Sequence, residues 1–345
     1  MQSTMQAKIS VGLLSALLSG GGMCAQENGA LPPYQPTVQV SGTIRSWGHG
    51  YLKNMMKLWE EGFRKFQPNA RFDDYLVSSA SAMAGLYSGR ADLGVLAREI
   101  TPPEIAAYEK VTRQKITPVT VLTGSYGNQD KIMALGIFVH RDNPIARLTF
   151  AQLDAIWGAE LRRGAKENIR SWDQLGLSGE WAGKTIQPYS GLAFEAPGYF
   201  FSQTVLKGSV LWNPALRQFD NVEDEKQRSV DAYQKVVDAV GADRYAIGLA
   251  GAGYRNPNAK LVALATEDDG PFVEATKENV ASRRYPLARP VRFYINNGPA
   301  LPADPKVIEF LRYVLSRDGQ AQVLSEGDFL PLTAAAAQEE LSKLP

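Results

Sequence analysis

The sequence predicts an α/β fold, and three observations carry that prediction. Short β-branched runs alternate with amphipathic segments along the chain, small-residue turns recur between them, and Gly and Pro mark the boundaries. With 345 residues the chain can bury a large core, and its size favours two domains over one.

The elements follow in order. A strand over residues 38–44 leads through the glycine-rich turn Arg45-Ser46-Trp47-Gly48-His49-Gly50 into a helix that Pro68 ends. Leu52, Met55, Met56, Trp59, Phe63 and Phe66 share one side of that helix and read as core. A second strand, 71–77, opens into Ser78-Ser79-Ala80-Ser81-Ala82 and a short helix over 83–88. A third, 93–97, ends at Arg98-Glu99, and Thr101-Pro102-Pro103-Glu104 has the cap and first-turn proline of another helix. Strands at 116–122 and 132–139 precede a short helix ending at Ile156-Trp157 and an irregular stretch over 158–181. A strand over 185–189 then gives Ser190-Gly191-Leu192-Ala193 and a helix over 196–206, the fourth strand, small turn and helix in succession. Residues 223–240 read as one charged amphipathic helix, 245–249 and 260–264 as strands, 272–282 as moderately helical and 291–295 as a strand. Helices over 305–316, 319–326 and 334–341 close the chain.

Such turns place free backbone N–H groups at helix starts, which is anion-binding geometry. Ligands of open α/β sheets lie beyond the carboxyl ends of the strands, where these loops can converge.

Residues 1–25 differ from the rest. Lys8, the apolar run 9–18 and the small residues before Ala25 read as a secretory signal, and the run is too short to span a bilayer. Cys24, the only cysteine, offers a lipidated alternative and leaves no disulfide within the chain. Residues 26–36 carry Pro32, Pro33 and Pro36 and read as an exposed tether. Removing the signal takes away one of 37 basic residues and none of the 36 acidic ones, so the processed chain balances at 36 of each. That neutrality, without a basic block, argues against nucleic acid as a partner.

Catalysis finds little support. His49 and His140 are the only histidines, which excludes a multi-histidine metal centre, and neither HExxH nor GxSxG occurs. The reading is therefore no enzyme, no metal and no cofactor.

Several segments together resemble the bacterial phosphate-binding proteins of ABC importers, within the periplasmic substrate-binding protein superfamily. They are residues 90–104 (RADLGVLAREITPPE), 148–158 (LTFAQLDAIWG), 245–254 (YAIGLAGAGY) and 284–287 (RYPL), within a match from about Val38 to Pro331. The resemblance implies a two-lobed α/β periplasmic binding protein fold with a ligand cleft and crossover hinge strands. Lobe one would be residues 37–131 plus 288–345, and lobe two 132–287. It also implies a periplasmic or extracellular monomer that captures phosphate or another small anion and presents it to an importer permease. An exported anion sensor or scaffold is the alternative, and a small phosphate-ester hydrolase a second one.

Carried over, the ligand-binding residues are Ser46, Trp47 and His49 in the first loop, Ser78, Ser79 and Ser81 in the second and Arg98 after the third strand, with Tyr189, Ser190 and Gly191 opposite. The chain departs from the family in these loops. Trp47 and His49 replace a small Gly-Ser-Thr segment, the usual aspartate falls near Arg98 or Glu99, and residues 189–193 lack the usual arginine and threonine. Bland roles compete for the same residues. Arg98 can pair with Glu99 or Glu104, His49 and the serines can cap helices, Trp47 and Tyr189 can fill core, and strand alternation can turn Arg45 away.

Overall fold

A computed structural model describes residues 31–128, 131–223 and 229–345, so the expected signal segment and residues 26–30 lie outside the described residues. The first half runs β1 (Gly42–Gly48), α1 (Lys53–Arg64), β2 (Ala70–Leu76), α2 (Ser79–Tyr87), β3 (Leu93–Val95), α3 (Pro102–Thr112), β4 (Thr117–Thr123), β5 (Leu135–His140), β6 (Arg147–Thr149) and α4 (Phe150–Trp157). It continues with β7 (Gln187–Gly191), α5 (Ala196–Thr204), β8 (Arg217–Phe219), β9 (Val222–Glu223), β10 (Ser229–Val230), α6 (Ala232–Ala242) and β11 (Ala246–Gly251). The last part holds β12 (Ala259–Leu261), β13 (Ala263–Ala265), α7 (Lys277–Ala281), β14 (Pro290–Ile295), α8 (Pro305–Val314), α9 (Arg317–Glu326) and α10 (Ala334–Leu341).

Two five-stranded sheets organise these elements. The first has the order β2-β1-β3-β14-β4, with β1 parallel to β2 and β3, and β14 antiparallel to β3 and β4. The second has the order β12-β5-β11-β7-β8. Each sheet has its own hydrophobic core.

In the first core, Met55, Met56, Trp59 and Phe63 of α1 are fully buried, each contributing about 1.5–3 kcal/mol by leaving water. Trp59 keeps its indole N–H satisfied by donating to Gly319 O at 2.9 Å. In the second, β5 and β11 are buried at every position, as strands covered on both faces must be.

Two stretches of chain connect the sheets. One leaves β4 through Gly124 and Ser125, and the other returns through Leu287 and Arg289 to β14. They are stitched by Gly124 N–H to Arg289 O (2.8 Å), Ser125 N–H to Ile132 O (2.6 Å) and Leu135 N–H to Leu287 O (3.1 Å). A Cβ on Gly124 would stand 2.3 Å from Ile132 O and 2.9 Å from Arg289 O, so only glycine permits this approach.

Four expectations need correction. β1 runs on through Arg45, Ser46, Trp47 and Gly48, which were expected in a turn, because register with β2 continues to Gly48 opposite Leu76. α2 starts at Ser79, four residues early, because Ser78 caps it. The long helix expected over 223–240 begins only at Ala232, where the Asp231 carboxylate accepts from Tyr233 N–H (2.8 Å) and Gln234 N–H (3.0 Å). The described part of the expected tether is anchored by two side chains, while Pro32, Pro33 and Gln35 are exposed as expected. Leu31 and Tyr34 are buried, and the Tyr34 hydroxyl donates to Glu309 Oε2 at 2.6 Å.

Candidate functional site

The carboxyl ends of β2, β1 and β3 lie side by side, and the backbone ties their loops together. Ser78 N–H donates to Gly48 O (2.8 Å) and His49 N–H to Val95 O (3.0 Å). Ala97 N–H donates to Ser79 Oγ (3.0 Å). His49, Ser78, Ser79, Ser81 and Arg98 are brought to one edge of the first sheet by these bonds.

Within that edge each side chain has a local role. His49 Nδ1 accepts from Tyr51 N–H at 3.2 Å at the start of a short 3-10 turn, and burial, then the Arg98 charge, push its imidazole below the usual range. Ser78 Oγ accepts from Ala80 N–H (3.2 Å), and Ser81 Oγ donates to Ser78 O (2.7 Å). Arg98 donates bidentately to Glu104 (2.8 and 2.7 Å) and to Glu99 O (2.9 Å). Burial opposes ionisation of Glu104, but Arg98 and the N–H and hydroxyl of Thr101 outweigh it and hold the carboxyl below its ordinary range.

Ser46 and Trp47 do not join this edge. Side chains alternate along β1, so Ser46 is fully buried on the α1 side beside Asp74, while Trp47 packs against Gly85 of α2 with its ring 4.9 Å from Tyr75. Arg45 is occupied elsewhere, pairing bidentately with Asp92 at 2.7 and 3.1 Å.

Opposite, Tyr189 is buried and stacks on Phe219 at 5.8 Å, so it fills core. Ser190 is buried, with its hydroxyl directed to Gly191 O at 2.6 Å. Gly191 makes room for Tyr233, whose ring lies 2.6 Å from where a Cβ would stand. α5 starts just beyond, with Glu195 at its cap and a proline in its first turn.

A buried arginine that no sequence motif marks joins the two walls. Arg289 is 2% exposed, donates to both carboxylate oxygens of Glu99 (3.0 and 3.3 Å) and lies 5.2 Å from the Phe200 ring of α5. Tyr199, beside Phe200, feels the charges of Glu99, Arg98 and Glu104, so this face of α5 looks towards the loops of the first sheet. Arg289 lies on the chain that returns to β14, directly before its first residue, Pro290. Its only sequence signal was a charge directly before the Pro290 of a predicted strand.

Two open depressions lie apart from these loops. One, of about 530 Å³, is lined by Ser125, Tyr126, Asn128, Lys277 and Asp328 among others, and the second, of about 360 Å³, lies around Arg147 and Phe272. Neither includes any of the expected ligand residues. Among the described residues no group of three or more His, Cys, Asp or Glu side chains is placed to hold a metal ion.

Two sheets joined by paired crossovers, with Arg289 bridging Glu99 of one to Phe200 of the other, define a two-lobed solute-binding architecture. A profile of the PBP superfamily domain matches residues 35–318, and the chain belongs to that superfamily, in the family of the PstS and SphX proteins. It is 34% identical over 316 residues to the phosphate-binding protein PstS of Pseudomonas aeruginosa, a match covering 91% of each chain. It is 27% identical to protein SphX of Synechococcus elongatus, covering 89% of this chain and 82% of that one. The fold matches the crystal structure of PstS from Borrelia burgdorferi with a TM-score of 0.58 at 15% identity, covering 85% of this chain and all (100%) of that one. An ABC-type phosphate transport receptor from Vibrio cholerae matches with a TM-score of 0.54 at 19% identity, covering 83% and 99%. As a member of this family the chain is an extracytoplasmic solute-binding protein and not an enzyme.

Proposed function

We propose that the protein captures phosphate or another small oxyanion between its lobes and delivers it to the permease of an ABC importer. The lobes are taken as residues 37–131 with 288–345, and 132–287. The observation that carries the reading is that Arg289 lies against Phe200 of α5 and holds Glu99, two residues past the Ala97 whose N–H bonds Ser79 at the α2 start. Oriented N–H groups at a helix start satisfy oxyanion oxygens without requiring net protein charge, which suits a chain whose acids and bases balance. The phosphate-binding relatives in Pseudomonas aeruginosa support the ligand class. Closure follows from preferential affinity of the ligand for the closed form, and exchange requires opening.

Calorimetry on the processed protein with phosphate, sulfate, small phosphonates and carboxylates tests this reading. At least one of these anions should bind, and Arg98→Ala should weaken that binding more than Arg141→Ala, whose side chain is largely exposed and pairs only loosely with Asp142 at 4.0 Å. Equal effects of the two substitutions would remove Arg98 from the site.

A further inference from the structure

The crossovers have two sides, and the order of the first sheet fixes which is which. β4 pairs with β14 along one edge, while along the other Thr123 N–H donates to Leu330 O (2.8 Å) and Leu330 N–H to Thr123 O (3.0 Å). The ends of β1, β2 and β3, with Arg289 just before β14, therefore lie on one side of β4, and Leu330 on the other. The depression of about 530 Å³ includes Leu330 and so opens on that second side. Its lining comes from three places. Ser125, Tyr126 and Asn128 belong to the crossover, Asp328 precedes Phe329 of the first core, and Lys277 opens α7, which sends Val280 into the second core.

The charges around this depression do not balance within the first lobe. Glu326 and Asp328 bring two carboxylates to the single ammonium of Lys131, at 3.5 and 3.2 Å, which leaves one negative charge in excess. The Asp328 carboxylate is held in place by Asn128 Nδ2 at 2.7 Å. Across the depression Lys277 is exposed, and among the described residues no ion pair or hydrogen bond commits its ammonium. An unbalanced acid and an uncommitted base thus face one space from opposite lobes. The crossover between them touches both sides, since the Tyr126 hydroxyl donates to Ala275 O at 2.9 Å.

Resting on the cleft reading above, we propose that Lys277 and Asp328 form a latch behind the hinge, which engages when the ligand cleft opens. Rotation about the crossovers that parts the walls on the Arg289 side narrows the depression on the far side and brings the two charges together. In the present arrangement Arg289 lies 5.2 Å from the Phe200 ring and the depression stands open. The pair stabilises the open form alone. An anion that closes the lobes therefore binds against it, and the latch helps set how readily the anion is released.

Calorimetry on the processed chain with phosphate and sulfate, beside small-angle X-ray scattering without anion, tests the latch. Lys277→Gln should tighten binding about threefold and Lys277→Glu about tenfold, the second because like charges then hold the depression apart. A glutamate suits this first helical position, so the fold is kept. A general field effect gives the reverse order, since removing a cation weakens the attraction of the protein for anions. In scattering, Lys277→Glu should lower the radius of gyration of the anion-free protein. Unchanged or weaker anion binding by Lys277→Glu, or an unchanged radius, would overturn the latch and leave the cleft reading in place. A parent protein giving no heat with phosphate, sulfate, small phosphonates or carboxylates would overturn the cleft reading, and the scattering alone would then decide the latch.

Discussion

Arg289 and Glu99 show how a charge pair can matter for the site without adding much to stability. Both are largely withdrawn from water, with side-chain exposures of 2% and 14%, and desolvating two ions offsets most of their attraction. Removing one partner is different, because it strands the other charge. Arg289→Met should therefore destabilise the protein by about 3–5 kcal/mol, while the double variant with Glu99→Gln should recover most of the loss. Urea unfolding of the two single variants and the double variant measures this, and additive losses would contradict the pairing. At this scale the sequence was only partly legible. The competing roles of Arg98 and Ser78 were visible, since Glu104 and the α2 start lie close by in the chain. Arg289 was not, because its partners Glu99 and Phe200 are 190 and 89 positions away and nothing local marks their meeting.

At the scale of elements, α1 and β2 are joined by a carboxyl pair, Glu60 and Asp74. Glu60 has a buried, unpartnered Oε1, and burial, then the neighbouring Asp74, push its carboxyl up to about 8. Burial raises the Asp74 carboxyl as well, so the two acids share the effect. A carboxyl whose folded value is raised binds more protons in the folded state than in the unfolded one. Its contribution is fully present below the ordinary glutamate range and is lost as pH rises through about 8. Glu60→Gln should therefore flatten the fall of the melting midpoint between about pH 5 and 8 and leave the variant more stable than the parent at the upper end. An unchanged pH slope would show that Glu60 ionises freely. Element types were legible wherever capping chemistry was explicit, as at Thr101-Pro102-Pro103-Glu104, which opens α3 with a reciprocal capping box. Boundaries failed where a glycine or serine had two meanings. Gly48 ended a strand where it was read as part of a turn, and the acid-rich run before Asp231 lacked the periodicity break that would have stopped the expected helix.

At the scale of the whole molecule, two sheets with separate cores are held by a crossover in which Gly124 passes within hydrogen-bonding distance of Arg289 O. The guanidinium of that same residue pairs with Glu99 of the first sheet's loops and lies against Phe200 of α5, so on the proposed reading the crossover and the site share a residue. The alternation of strands and helices made the α/β class legible, and the order of four weak segments made the family legible. The packing of Leu31 and Tyr34 against the first core was not, since three prolines in residues 26–36 read as a solvated tether. The central claim is that a tetrahedral oxyanion lies between the α2 start and Arg289. A crystal structure of the processed protein grown with arsenate tests it most directly. The account predicts an anomalous arsenic peak within hydrogen-bonding reach of the Ser79–Ser81 backbone and on the Arg289 side of the cleft. A peak confined to the depression around Lys277 and Asp328, or none at saturating arsenate, would contradict it.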